Sequence, residues 1–392
     1  MRKICADIVY PVSQPPIKNG IVVIEDDGTI AEVVKPENFK GEKFEYHPGV
    51  IMPGFINTHC HLELSHMEGK VDTGTSLIPF ITAVVQKRNS PQEEIDQAII
   101  NADREMFEAG IVAVGDISNQ PDTFKCKAES QIRYYTFVEM FDFLQNEDAE
   151  KTFEQYAAVY DQCHLGPGDQ KSMVPHAPYS VSEVLFKKLR HANAHKPGTI
   201  SIHNQETPPE NKLFLSKTGG FVSFYKGFDI SLDQFEAPHT TSIHYALANM
   251  DPSHRTLFVH NTLTTREDVK AAQLWSDNTF WASCPNANLY IENRLPDYQV
   301  FIDTGARVTL GTDSLTSNWQ LSILEEMKTI ARFQSYVSFE TLVRWATLNG
   351  AQALGFDQEL GSFEPGKRPG INLITFGESG RFDQEASVRR LA

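Results

Sequence analysis

The chain has 392 residues, of which 51 are acidic and 35 are basic, giving a formal net charge of −16 at pH 7. That charge would repel nucleic-acid phosphates and anionic membrane surfaces, so we expect neither as a partner. The 5 cysteines include no C-x-x-C pair, which argues against a disulfide framework and a thiolate zinc site. We recognise no secretory leader and no apolar run of about 18 residues, and therefore expect a cytoplasmic location.

The two ends of the chain carry short β-branched segments separated by turn residues. IVVI and IAEVV flank Asp-Asp-Gly at positions 26–28, a combination typical of a β-hairpin. Near the other end, the turn-rich GSFEPGKRPG leads into a strand-like segment, INLITF. We expect the two ends to pair as a small accessory β-sandwich of residues 1–50 and 358–392, flanking a domain of residues 51–357.

Between these ends, short apolar segments alternate with helical patterns. Eight of the segments have the character of buried strands: VIMPGFINTH, GIVAVGDIS, IRYYTFVEM, KSMVPH, TISIHN, TLFVHN, TFWASCP and ARVTLGTDS. Eight strand–helix units predict an α/β fold of the (β/α)8 TIM-barrel type. Ser180-x-x-Glu183 and Thr264-x-x-Glu267 match the capping box that starts a helix, so we expect two of the intervening helices to begin there.

Histidines cluster at the ends of the predicted strands. In GFINTHCHLELS, His59 and His61 are two residues apart and therefore lie on the same side of a strand. His203 lies at the end of the fifth strand and Asp313 at the end of the eighth, whereas ordinary core histidines would not cluster in this way. Barrel enzymes collect their chemistry at these strand ends, so we expect the four residues to hold one divalent metal ion. Three imidazoles and a carboxylate suit Zn2+, with Fe2+ or Mn2+ as alternatives.

Further polar residues at the strand ends suit proton transfer. Glu206 follows His203 by three residues, where the strand gives way to a turn, and we expect it to act as general acid and base. The alternative is a solvated loop carboxylate. We expect His260, at the end of the sixth strand, to orient the attacking water or to stabilise developing oxyanion charge. Asp313 is expected both to bind the metal and to accept the proton of the activated water.

Five motifs occur in the order and context of a known superfamily: PGFINTHCH, HNQE, FVHN, SCPNANLYI and GTDS. Together they resemble the amidohydrolase superfamily, in its mononuclear branch of heterocycle and nucleoside deaminases and chlorohydrolases. The resemblance implies the metal ligands given above and the catalytic set Glu206, His260 and Asp313. The fourth strand ends in VPHAPYS, without the lysine that bridges two metals in binuclear relatives. One metal ion is therefore implied, with His176 as a substrate contact.

Longer segments indicate a subgroup within this branch. HLELS, HNQETPPENKLFLSKTGGFVSFY and GTDSLTSNWQLSILEEM look like the aminodeoxyfutalosine deaminases of the alternative menaquinone route. KRPGIN departs from the lysine followed by Ala-Asp that many relatives carry. The implied reaction is deamination of 6-amino-6-deoxyfutalosine to futalosine. The alternatives are a guanine- or adenosine-type deaminase, hydrolysis of an amide or carbon–halogen bond, and a non-catalytic metal-binding scaffold.

For two residues, the sequence is compatible with either a substrate contact or a structural role. Glu63 either accepts hydrogen bonds from the hydroxyls of a ribose-like group or supports its own loop. Asn288, in the PNAN segment, either contacts the substrate or holds its loop. The expected partner is a small-molecule substrate, and the resemblance suggests a homodimer.

Overall fold

The protein is described by a computed structural model that defines residues 1–39, 43–194 and 196–392. In these ranges the strands are β1 (Arg2–Val9), β2 (Ile17–Lys18), β3 (Ile21–Ile24), β4 (Ile30–Val34), β5 (Glu45–Pro53), β6 (Phe55–Cys60), β7 (Ile111–Ser118), β8 (Arg133–Met140), β9 (Gln170–Pro175), β10 (Thr199–Asn204), β11 (Arg255–His260), β12 (Thr279–Ser283), β13 (Val308–Leu310), β14 (Ile371–Thr375) and β15 (Ser387–Arg390). The α-helices are α1 (Leu77–Lys87), α2 (Gln92–Glu108), α3 (Phe124–Glu129), α4 (Ala149–Gln162), α5 (Glu183–Asn193), α6 (Pro208–Ser216), α7 (Gly220–Gly227), α8 (Ser242–Asn249), α9 (Arg266–Trp275), α10 (Pro285–Glu292), α11 (Tyr298–Thr304), α12 (Ile323–Phe333), α13 (Phe339–Ala346) and α14 (Leu348–Leu354).

The central domain is an α/β structure with two parallel sheets. Strands β6 to β9 form one four-stranded sheet and β10 to β13 form another. Each of the eight predicted strand segments overlaps one of these strands. The sheets meet at both edges: the backbone N–H of His203 donates to the carbonyl of His176 at 2.9 Å, and those of Thr312 and Asp313 each donate to the carbonyl of His59 at 3.0 Å.

The parallel strands are covered on both faces. Every residue of β6, β7 and β10 is buried, including the polar ones, as expected for parallel strands that are covered on both faces. Their carboxyl ends lie at the same edge of the sheets, where the loops leading to the helices begin. No helix within the described ranges has both the length and the apolar composition needed to span a membrane.

Gly311 lies where β13 approaches β6 closely. A Cβ atom at this position would lie 2.8 Å from the Cβ of His59 and 3.0 Å from its backbone nitrogen and oxygen. We therefore expect Gly311→Ala to separate the two strands and lower the free energy of unfolding by about 1–3 kcal/mol, measured by urea denaturation. Gly227→Ala is the control, because a Cβ there meets no atom within 4 Å. Equal stability of the two variants would contradict the prediction.

The terminal segments form one mixed seven-stranded sheet. Its order is β15-β14-β5-β1-β3-β4, with β2 paired to β1. The predicted hairpin joins β3 to β4, and Gly28 takes a φ of 88° in its turn, a conformation that favours glycine. Strand β5 runs past residue 50: Ile51 packs within this sheet's apolar cluster, while Val50 and Met52 pack in the central core. The strand thus joins the two parts of the chain.

The two predicted helix starts are displaced. The sequence pattern placed them at Ser180 and Thr264, but α5 is capped by Ser182 and α9 by Thr265. Thr265 and Asp268 form the reciprocal capping box in place of the predicted pair. Neighbouring serines and threonines offer competing caps, and the path of the backbone out of the preceding strand decides between them.

Candidate active site

The carboxyl ends of the parallel strands bring the predicted histidines together. His59 and His203 are the penultimate residues of β6 and β10, and His260 is the last residue of β11. His61 directly follows β6, and Asp313 follows β13 by three residues. These five residues come from four strands that end at the same edge, which is where barrel-type enzymes carry their chemistry.

His59, His61 and Asp313 converge on one point. The Nε2 atoms of His59 and His61 are 3.1 Å apart, and Oδ1 of Asp313 lies 3.6 Å and 3.4 Å from them. A ring nitrogen of His203 lies within 4.8 Å of a ring nitrogen of each of the two histidines. Ligand atoms around a tetrahedral zinc ion, at bond lengths of about 2.1 Å, are separated by about 3.4 Å. The spacing and the donor types of this group therefore fit a divalent metal ion.

Neighbouring groups orient two of these side chains. Nδ1 of His203 lies 2.8 Å from the carbonyl of His176, which can only accept, so Nδ1 carries the hydrogen and Nε2 is left with its lone pair. The hydroxyl of Ser317 donates to Oδ2 of Asp313 at 2.6 Å, while Oδ1 faces the histidines. Partners of this kind fix the orientation of metal ligands. Ser317 was not among the predicted site residues.

Three residues at the same strand ends have an unusual backbone conformation. Asp313, His260 and Asn261 have φ values of 58°, 73° and 60°, in the left-handed region that residues other than glycine rarely adopt. Such strain persists only where the surrounding structure enforces it, and it is common at functional sites. Burial alone would raise the pKa of Asp313, but the close approach of His59 and His61 to its carboxylate holds this pKa below its usual range. The carboxylate is therefore ionised.

Glu206 lies buried beside the histidine cluster. Its Oε1 atom is 3.6 Å from Nε2 of His260, and only 4% of the residue is exposed. Burial raises the pKa of Glu206 well above its ordinary value, and the carboxylates of Asp313, Glu210 and Glu292 raise it further. Glu206 therefore holds its proton to higher pH than an ordinary glutamate does, which suits a side chain that donates a proton. A solvated loop carboxylate, the alternative from the sequence, would not have this environment.

His260 is held by Asn288. Nδ1 of His260 lies 2.9 Å from Oδ1 of Asn288, and because an amide oxygen only accepts, Nδ1 carries the hydrogen. Nε2 therefore faces Glu206 as an acceptor. Burial lowers the pKa of His260 to about 4, so the ring is neutral at pH 7. The contact made by Asn288 in this structure is with a site histidine.

The contact between Asn288 and His260 can be tested by substitution of Asn288. Asn288→Leu removes the acceptor for His260, and we expect a fall in kcat of about 10-fold to 100-fold. Asn288→Asp keeps an acceptor and adds a negative charge, which raises the pKa of His260 and moves the acidic limb of the pH–rate profile to higher pH. Asn249→Leu, on α8, is the control and should retain wild-type kcat. An unchanged kcat in Asn288→Leu would contradict the assigned contact.

Glu63 makes contacts that support its loop. Its Oε2 accepts the backbone N–H groups of Asn119 and Gln120 at 2.9 Å and 3.1 Å, and its Oε1 lies 3.7 Å from a guanidinium nitrogen of Arg88. Burial raises the pKa of Glu63 to about 7. The structural role left open by the sequence is therefore present, while contact with a ribose-like group stays a prediction.

Glu139 also lies at the site, although it was not among the predicted residues. It is the penultimate residue of β8, and its Oε2 lies 2.9 Å from Nδ1 of His176 and 3.3 Å from Nδ1 of His203. Burial would raise the pKa of Glu139, but the charges of these histidines outweigh it and hold the pKa low. These three residues form a second group with metal-ligand spacing. Because Nδ1 of His203 donates to the carbonyl of His176, it is not free to bind an ion, and the group at His59 and His61 fits an ion better.

Comparison with known proteins places these features in a family. The model of the amidohydrolase family matches residues 50–387. An adenosine deaminase of Helicobacter pylori is 27% identical over 359 residues, which cover 91% of this chain and 85% of the relative. The curated relative therefore aligns over most of both chains.

Solved structures share the fold. Helicobacter pylori aminofutalosine deaminase, in complex with methylthio-coformycin, matches with a TM-score of 0.81 and 24% identity over 98% of this chain and 94% of that one. Atrazine chlorohydrolase of Arthrobacter aurescens, complexed with zinc, matches with a TM-score of 0.74 and 17% identity over 95% and 86%. From the family model and the relative together, this chain belongs to the amidohydrolase family and is an enzyme that hydrolyses carbon–nitrogen bonds other than peptide bonds.

Proposed function

We propose that the protein is a metal-dependent hydrolytic deaminase that releases ammonia from an aminated purine nucleoside or a related heterocycle. The observation that carries this proposal is the buried Glu206 beside the histidine cluster, where its Oε1 atom lies 3.6 Å from Nε2 of His260. A ring nitrogen must gain a proton when water attacks the adjacent carbon, and a protonated carboxyl group supplies it. The similarity to an adenosine deaminase supports the same reaction class.

The proposed cofactor is one divalent metal ion held by His59, His61, His203 and Asp313. Zn2+ is the preferred ion, with Fe2+ and Mn2+ as alternatives, because imidazole and carboxylate ligands do not separate these ions sharply. A bound zinc ion lowers the pKa of a water ligand to about 7 and so supplies a nucleophile at neutral pH. The spacing of the donor atoms supports this assignment.

Three side chains carry the protons of the proposed reaction. Water adds to the carbon that bears the amino group, Glu206 protonates the adjacent ring nitrogen, and Asp313 accepts a proton from the water. Asp313 passes that proton to the amino group, the carbon–nitrogen bond breaks, and ammonia leaves. Glu206 recovers its proton from the new hydroxyl group as the carbonyl forms. The acceptor state of Nε2 favours His260 as the residue that orients the water.

The proposed substrate is 6-amino-6-deoxyfutalosine, which would yield futalosine and place the enzyme in menaquinone biosynthesis. The HLELS segment and the segment after the eighth barrel strand support this choice, as does the likeness to a solved aminofutalosine deaminase. We propose that Glu63, His176 and Asn288 line the substrate pocket, with Asn288 acting through His260. Nucleosides of the adenosine or guanine type are the nearest competing substrates.

A panel assay tests the substrate proposal. Ammonia release is measured from 6-amino-6-deoxyfutalosine, adenosine, S-adenosylhomocysteine, guanine and cytosine, and we expect the highest kcat/KM with the first. A higher kcat/KM with another compound would replace the substrate but keep the reaction. Activity only on an amide or a carbon–halogen bond would replace the reaction, since a zinc chlorohydrolase shares the fold. Inactivity toward every compound would favour the scaffold alternative.

We also propose the architecture, the oligomeric state and the cellular location of the protein. We propose that the two parallel sheets close into a (β/α)8 barrel, supported by the hydrogen bonds that join their edges. We propose that the terminal sheet folds over on itself to form a β-sandwich. Residues 1–50 and 358–392 would form this accessory domain, and residues 51–357 would form the barrel. A homodimer and a cytoplasmic location complete the proposal.

A further inference from the structure

Two side chains form hydrogen bonds with the short backbone segment that precedes α6. The N–H groups of Gln205 and Glu206 donate to the two carboxylate oxygens of Glu210, each at 2.9 Å. The hydroxyl of Thr262 lies 2.6 Å from the carbonyl oxygen of Glu206 and 3.1 Å from that of Gln205. Two buried side chains thus contact four consecutive polar groups of this short segment.

The start of α6 explains the reach of Glu210. Thr207 is the N-cap and prolines 208 and 209 occupy the first two helical positions, so Glu210 is the third. A glutamate at the third position usually bonds the backbone N–H of the N-cap residue. Here it extends past Thr207 to the two preceding N–H groups. Glu210 is fully buried, a costly location that a carboxylate occupies only when it is strongly hydrogen-bonded.

The held segment is strained. Gln205 has a φ of 46°, in the left-handed region that is unfavourable for a residue with a side chain. This conformation turns the chain between His203 at the end of β10 and Glu206. Without the bonds to Glu210, the backbone would relax toward an extended conformation, which would move the Glu206 side chain away from His260.

We propose that Glu210 and Thr262 form a clamp that positions Glu206 for proton transfer, with Glu210 as a positioning residue. The proposal rests on the function proposed above, in which Glu206 is the proton donor. The clamp acts on the backbone of Glu206 and leaves its carboxyl group free to exchange a proton. It therefore predicts a loss in the chemical step rather than in substrate affinity.

Two variants test the two sides of the clamp. In Glu210→Gln, the amide NH2 opposes one of the backbone N–H groups, and we expect kcat to fall by about 10-fold to 100-fold. KM should change by less than about 3-fold, because the clamp does not act on substrate binding. Thr262→Val should also lower kcat, whereas Thr262→Ser keeps the hydroxyl and should restore it.

Asp169→Asn is the matched control. Asp169 also accepts two backbone N–H groups, those of Tyr134 at 2.8 Å and Gly166 at 3.1 Å, but it lies beside the start of β8 and β9, at the opposite end of the sheet. Its substitution should lower Tm and leave kcat unchanged. If Glu210→Gln retained wild-type kcat, or if Thr262→Ser lost as much activity as Thr262→Val, the clamp would be overturned.

A crystal structure of Glu210→Gln separates failure of the clamp from failure of the proposed function. We expect Glu206 to be displaced from its position 3.6 Å from His260. An undisplaced Glu206 overturns the clamp whatever the activity. If the wild-type protein deaminates no compound in the panel, the proposed function fails, and the position of Glu206 in the variant still decides the clamp. Should Glu210→Gln fail to fold, the structure of Thr262→Val gives the same readout.

Discussion

Substitution of Glu206 by glutamine is expected to lower kcat by about 10²-fold to 10⁴-fold, the usual contribution of general acid–base catalysis. Glutamine keeps the size of the side chain but has no proton to donate to a ring nitrogen. Metal content should remain at the wild-type level, because Glu206 is not among the proposed ligands. Steady-state ammonia release and elemental analysis of the same preparation measure both quantities.

The pH dependence provides a second readout for Glu206. Burial and nearby carboxylates raise its pKa, so the protonated, active form persists to higher pH than an ordinary glutamate would allow. Activity should therefore decrease as pH rises through this pKa. Glu154→Gln, on an exposed position of α4, is the control and should retain wild-type activity. A fully active Glu206→Gln would contradict the assignment of Glu206 as the proton donor.

Loss of the metal is expected to have an equally large effect. His203→Ala removes one of four proposed ligands and should reduce both the metal content and ammonia release to background. Without the ion, the pKa of the attacking water returns from about 7 to about 15.7, so nucleophilic hydroxide is scarce at neutral pH. At free zinc of about 100 times its Kd, binding stabilises the folded state by about 2.7 kcal/mol, so chelation should also lower Tm.

The metal prediction has its own control. His191→Ala changes an exposed histidine at the end of α5 and should leave metal content, Tm and activity unchanged. Wild-type protein treated with a chelator should recover activity when zinc is added back. A His203→Ala variant that kept a full complement of metal and its activity would refute the ligand set.

Much of the fold could be predicted because the signals are local. The eight central strands are short apolar segments bounded by turns, and each is a strand in the structure. Parallel strands also end at one edge, so polar residues at their ends were expected to meet. The positions of His59, His61, His203 and Asp313 at strand ends therefore predict that these residues lie together, and the distances between them agree.

Other site residues could not be predicted, because their contacts depend on how loops close. Glu210 and Ser317 act through hydrogen bonds whose partners are fixed only by the path of the chain after β10 and β13. Glu139 did carry a signal, since it has the same penultimate position in β8 that His59 has in β6 and His203 has in β10. Equivalent positions on parallel strands point into the same layer.

The most direct test is ammonia release by the purified, metal-loaded protein, measured on the nucleoside panel before and after chelation. The account predicts about one zinc or similar divalent ion per chain, release of ammonia from an aminated purine nucleoside, loss of this activity on chelation and its return with zinc. Protein that contains the metal but releases no ammonia from any aminated heterocycle would contradict the account.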